Sequence, residues 1–249
     1  MANYDNQSAR YGSTVARGAD AAIDQGLRAH MLRVYNYMAV GLVLTGVTAW
    51  AVANTALGSL FFTQTAAGGL GMTTLGWIAF IAPIALVFLL SFGVQRMSAG
   101  TAQLVFWVYA ALMGVSLATI FFAYTMSSIT QVFFVTAATF GATSLYGYTT
   151  RRDLSGFGSF LFMGLIGIVI ASIVNIFLAS SALGFAVSII GVLIFTGLTA
   201  YDTQKIKEMY SVQDDGSVAG RKAIMGALSL YLDFINLFLM LLRLFGDRR

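Results

Sequence analysis

The sequence predicts an all-α polytopic membrane protein with seven transmembrane helices, and three observations predict it. Hydrophobic residues fill 58% of the 249 positions, and charged ones only 10%, where a soluble domain carries about 25%. The few charges cluster and leave long windows with none; roughly 18 or more apolar residues suffice to cross a hydrocarbon core of about 30 Å. These windows are apolar on all sides, whereas the strands of a membrane barrel alternate apolar and polar residues over about ten positions.

The elements follow in order. Residues 1–26 are polar, and a disordered cytoplasmic tail is expected there, followed by a transmembrane domain over 27–249. No apolar core with a small-residue cleavage site opens the chain, so no cleaved signal peptide is expected. His30 lies in the polar approach to the first span and is expected to be solvated at the interface. Seven apolar segments then run over about 34–53, 75–94, 102–123, 130–149, 158–178, 184–204 and 225–245. Pro83, the single proline, falls in the second span, where a membrane helix tolerates it. In the fifth, Gly164, Gly167, Ala171 and Asn175 recur near one face, a spacing that lets helix backbones approach closely.

Charge sets the orientation. Arg10, Arg17, Arg28 and Arg33 precede span one, and Arg96 follows span two. Arg151 and Arg152 follow span four, and Lys205, Lys207, Arg221 and Lys222 follow span six. The connections 54–74, 124–129 and 179–183 carry no charge. The positive-inside rule therefore places the N-terminus and the basic loops in the cytoplasm of a cell (cytoplasmic or inner) membrane. Seven full crossings leave the C-terminus outside, although Arg243, Arg248 and Arg249 lie there; the alternative is a last helix that re-enters and returns.

Composition also excludes functions. The cations flank apolar segments rather than forming a dense patch, so nucleic acid is not an expected partner. With no cysteine and one histidine, thiolate and multi-histidine metal centres are ruled out, and no cofactor is expected. A retinal protein needs a lysine deep in a span, and the three lysines lie near the sixth-to-seventh connection. An intramembrane aspartyl protease would match "YD" at Tyr201–Asp202, but "LYL" precedes Asp233 where Gly-x-Gly is required. No enzyme activity is expected.

Two acids stand apart. Asp202 ends the sixth span and Asp233 lies deeper, within the seventh. Inserting an aspartate at a helix centre costs roughly 2.5–3.5 kcal/mol, so an intramembrane acid is a functional candidate by default. Ser229, Asp233, Asn236, Met240 and Arg243 recur at steps of four and three, one face of a helix. Thr196, Thr199 and Asp202 recur at steps of three on the sixth. If these stripes face each other, the carboxyls meet, cannot easily both ionise, and share a proton. Such a pair senses pH and offers hard oxygens to a cation such as calcium, too few for tight storage but suited to passage. The alternative is that each aspartate separately hydrogen-bonds a neighbouring helix.

The stretches "TAYDTQKIK" and "ALSLYLDFINLFLMLLRLFG", with "GLRAHMLRVYNYMAVGLVLTG" and "FGATSLYGYTTRRDLSGFGSFLFMGLIGIVIASIVNIF", resemble the transmembrane Bax inhibitor motif family in its bacterial Bax inhibitor-1-like branch. The resemblance covers nearly everything after residue 26. It implies seven helices with the last central and wrapped by the other six. It implies a pH-sensing aspartate pair at Asp202 and Asp233 and a pH-dependent calcium leak, and a change in protonation of the pair is expected to shift helices two, six and seven. It also implies a basic latch at the end of helix two, for which Arg96 is the candidate, with Gln95 the alternative occupant of the latch position. Bacterial relatives include modulators of membrane proteases. The expected function is thus a pH-sensitive calcium leak channel whose partners are the bilayer, calcium and protons. The alternatives are a non-transporting regulator of a membrane protease or stress response, and a cation/proton exchanger. Asn236, Ser229 and Thr199 are the expected supporting polar residues.

Overall fold

The computed structural model describes residues 4–65 and 69–249, with side chains described from residue 24 onward except at residue 70. The helix α1 spans Tyr4–Asn54, so the expected boundary at residue 26 falls inside a helix. The short α2 (Gly58–Phe61) leads into a small antiparallel hairpin, β1 (Phe62–Gln64) paired with β2 (Leu70–Met72). There follow α3 (Thr74–Gly93), a 3-10 turn at Val94–Arg96, α4 (Ala99–Leu117) and the short α5 (Thr119–Ala123). The remaining helices are α6 (Met126–Thr149), α7 (Ser155–Leu178), α8 (Ser181–Glu208) and α9 (Gly216–Phe245). Seven of these segments are long and apolar enough to cross a membrane, and each contains one expected span. The hairpin is the addition: the charge-free 54–74 connection folds back on itself rather than running as a plain loop.

The starts of these helices are written in their caps. Thr73, Ser98, Thr125, Ser180 and Asp215 each precede a helix and accept a hydrogen bond from the backbone N–H three residues on. That satisfies a donor the helix cannot pair internally. Pro83 deletes an N–H from the interior of α3 and frees the carbonyl of Ala79. Ser116 of α4 donates to that carbonyl at 3.4 Å, so the neighbouring helix partly replaces the missing bond.

The last helix is central. In its apolar window 72% of residues are buried, against 11% in α7. α9 packs mainly on α8, α1, α6 and α4, while α3 rests chiefly on α4, and α7 chiefly on α8. The implied ring of six is therefore uneven, with α3 and α7 outermost. Exposed side chains on those helices, such as Phe92 and Phe177, match a lipid surroundings. At 1.5 Å per residue the 30 residues of α9 are about 45 Å long, enough to cross completely. Its end is fixed beside the α5–α6 junction: Thr125 N–H donates to Asp247, Asp247 N–H to Ser128 Oγ, and Arg249 N–H to Ala123. Of the two topologies left open by charge, an unbroken helix of this length fits the full crossing.

Small residues set the closest approaches. Gly147 of α6 lies against the Ala200 backbone of α8, and Gly158 of α7 lies under the Tyr201 ring. Of the expected stripe on α7, Gly164 faces Ile194 and Ala171 packs on the core, but Gly167 meets nothing within 4 Å; the packing face runs through Gly158, Leu161, Gly164, Ile168 and Ala171 and leaves Gly167 out. His30 is another correction. It is only 5% exposed, with its ring 5.7 Å from that of Tyr210. The first helix starts far enough upstream that residue 30 already packs against the turn after α8.

Candidate functional site

The motif "TAYDTQKIK" ends α8, and its polar residues point in several directions. Thr203 is fully buried; its Oγ1 lies 2.9 Å from Ser144 Oγ on α6, which lies 2.6 Å from Tyr35 Oη on α1. Gln204 accepts from the Leu154 N–H at 2.8 Å and donates to the Arg152 carbonyl at 2.9 Å, clamping the turn between α6 and α7. Lys207 donates to the Tyr148 carbonyl at 2.9 Å and ties α8 to the end of α6. Asp202 lies on a different face from these anchors, toward α9.

There it faces Asp233 across the α8–α9 seam, and the two carboxyls are close enough to act on each other. Asp202 is half-buried, and Asp233 is 4% exposed. A hydrogen bond between two carboxyls needs a proton on one partner. Asp233 Oδ2 has no hydrogen-bond partner, an acceptor whose isolation costs about 1–3 kcal/mol.

The pair forms part of the wall of a cavity of about 830 Å³ bounded by α7, α8 and α9. The cavity exists because α7 leans on α8 and leaves one face of α9 only partly covered. That face is the polar stripe read from the sequence: Ser229, Asp233, Asn236 and Met240 all line the cavity. Asn236 Nδ2 is committed to the Leu232 carbonyl at 2.8 Å, which leaves its oxygen for the cavity.

Two expected residues are elsewhere. Thr199 is fully buried outside the cavity walls and donates to Phe195. A step of three residues turns a helix by about 300°, so Thr199 drifts off the face of Asp202. Arg96 is exposed on the 3-10 turn and does not line the cavity, and Gln95 beside it is exposed too. The basic residue at the pair is Lys205, one turn beyond Asp202, which lines the cavity and acts on Asp202 by its charge. Its ammonium lies 5.9 Å from the centre of the Tyr201 ring. Lys205 was legible as the i+3 neighbour of Asp202. Ser172 of α7, on the opposite wall, was not, because nothing in its own helix marks that face. Among the described residues no cluster of three or more His, Cys, Asp or Glu occurs.

Comparison with known proteins adds a family. The family model described as "Inhibitor of apoptosis-promoting Bax1" matches residues 27–249. The inner membrane protein YbhL of Escherichia coli K12 is 54% identical over 227 residues, covering 90% of this chain and 94% of its own. An uncharacterized protein of Rickettsia prowazekii is 51% identical over 229 residues, covering 91% and 92%. One from Caulobacter vibrioides is 45% identical over 239 residues, covering 95% and 96%.

Proposed function

The chain belongs to the Bax inhibitor-1-like family, and from that premise we propose that it is a pH-sensitive calcium leak of a bacterial inner membrane, gated at Asp202 and Asp233. The observation that carries this reading is that two carboxyls, one with an unpaired oxygen, line the wall of one cavity between α7, α8 and α9. In this reading the two carboxyls share one proton, with Lys205 lining the same cavity beside Asp202. Loss of that proton leaves two adjacent anions at low dielectric, which repel strongly. The anions then separate, by a shift of α8 against α9, or recruit a cation between them. Calcium suits such an oxygen pair, and two carboxylates alone hold it weakly enough to release it. The basic end of the bundle is cytoplasmic in this reading, by the positive-inside rule.

The test is calcium flux into proteoliposomes over about pH 5–8. The wild type is expected to change its leak rate steeply with pH, and Asp202→Asn and Asp233→Asn to flatten that dependence. Variants that follow the wild-type pH curve would remove the pair from gating. A flux that stops when the proton gradient is collapsed would favour the cation/proton exchanger. Absence of flux, with a membrane protease co-purifying, would favour the non-transporting regulator.

A further inference from the structure

A second cavity, about 970 Å³, opens at the end of the bundle opposite the basic loops, between the α7–α8 turn and the end of α9. It shares Ser172 and Ile176 with the aspartate cavity but has a different chemistry. Its walls carry two guanidinium groups, Arg243 and Arg248, and no acid. Around them stand Asn175, Ser172 and Ser181, while Ser188 on the same wall donates its hydroxyl to the Gly184 carbonyl at 2.8 Å. Asn175 Oδ1 accepts from the Ser180 N–H, so its amide N–H₂ is the part left to donate.

Neither arginine is within ion-pairing distance of an acid among the described residues. Asp247, between them in sequence, is not on the cavity wall. Arg243 interacts favourably with the carbonyl end of α9. Arg248 has no such role, yet the backbone bridge between Tyr124 and its own residue holds it at the rim. Two forked cations facing hydroxyl and amide donors, with no acceptor charge among them, match a tetrahedral oxyanion. The adjoining surface is strongly apolar, with Phe177 84% and Ile176 76% exposed, which puts the cavity at the headgroup depth of a bilayer.

We propose that this vestibule binds a phosphate group, held by Arg243 and Arg248 and oriented by Asn175 and the hydroxyls of Ser172 and Ser181. The sources are an anionic phospholipid headgroup of the facing leaflet or a soluble phosphate. The site is independent of the aspartate pair, and its test does not read ion flux.

Detergent-purified full-length protein is titrated with phosphatidylglycerol, with phosphatidylcholine and with inorganic phosphate, and bound molecules are counted by native mass spectrometry. The wild type is expected to prefer phosphatidylglycerol to phosphatidylcholine. Arg243→Gln and Arg248→Gln should each weaken that preference about fivefold. Arg249→Gln, off the cavity wall, should leave it unchanged, and exposed Arg248 is a position where replacement does not threaten folding. Binding of inorganic phosphate without a lipid preference, still lost in the two variants, also supports the site and assigns it to a soluble anion. Equal retention of both ligands by wild type and the two variants, or an equal loss in Arg249→Gln, overturns it.

Discussion

A single threonine shows how this protein satisfies polar atoms out of reach of water. Thr45 Oγ1 lies 2.9 Å from the Gly41 carbonyl, 2.8 Å from that of Ala110 and 2.6 Å from Tyr231 Oη. It joins α1, α4 and α9 at one atom, two residues from Asp233. Thr45→Val keeps the shape and removes the hydroxyl, and is expected to cost about 1–2 kcal/mol in a denaturant or thermal unfolding titration. Tyr231→Phe should cost a similar amount, and the double variant less than their sum, because both remove one hydrogen bond. Strict additivity would mean that the 2.6 Å contact contributes nothing. The acid pair was legible in the sequence, because inserting a carboxyl into hydrocarbon is costly enough to make each aspartate conspicuous. The Tyr35–Ser144–Thr203 hydroxyl chain was not legible, since serine and threonine in a membrane helix satisfy themselves on their own backbone and reveal no partner.

Helices associate here through close backbone contact, and the glycines separate into those that matter for it and those that do not. Gly147→Ala would drive a methyl into the Ala200 backbone and is expected to destabilise by about 3 kcal/mol or more. Gly167→Ala meets open space, and its expected effect lies between neutral and a gain of about 0.5–1 kcal/mol. Thermal unfolding of the two variants side by side tests the contrast. Sequence spacing singled out Gly167 and passed over Gly147, because a small residue fits a packed face and a lipid face alike. The seven spans were legible for the opposite reason: hydrocarbon imposes a length on each one. The β1–β2 hairpin has no such constraint, and its three-residue strands are too short to show an alternation.

Across the whole bundle, the central position of α9 and the peripheral position of α7 decide which surfaces meet water. The chain has no cysteine, so single cysteines report access without background. Ser229→Cys and Ser172→Cys, on the cavity walls, are expected to react with a water-soluble maleimide. Thr199→Cys, fully buried away from the cavity, is expected to resist. Equal labelling at all three positions would mean that the cavity is not the aqueous route. Gln204 adds a mechanical consequence. It stands two residues beyond Asp202 and grips the turn ahead of α7 through both ends of its amide. Rotation of α8 at the acid pair would tow the start of α7 with it, so under the proposed gating the two helices would swing as one lever and carry a proton event near the axis out to the lipid boundary.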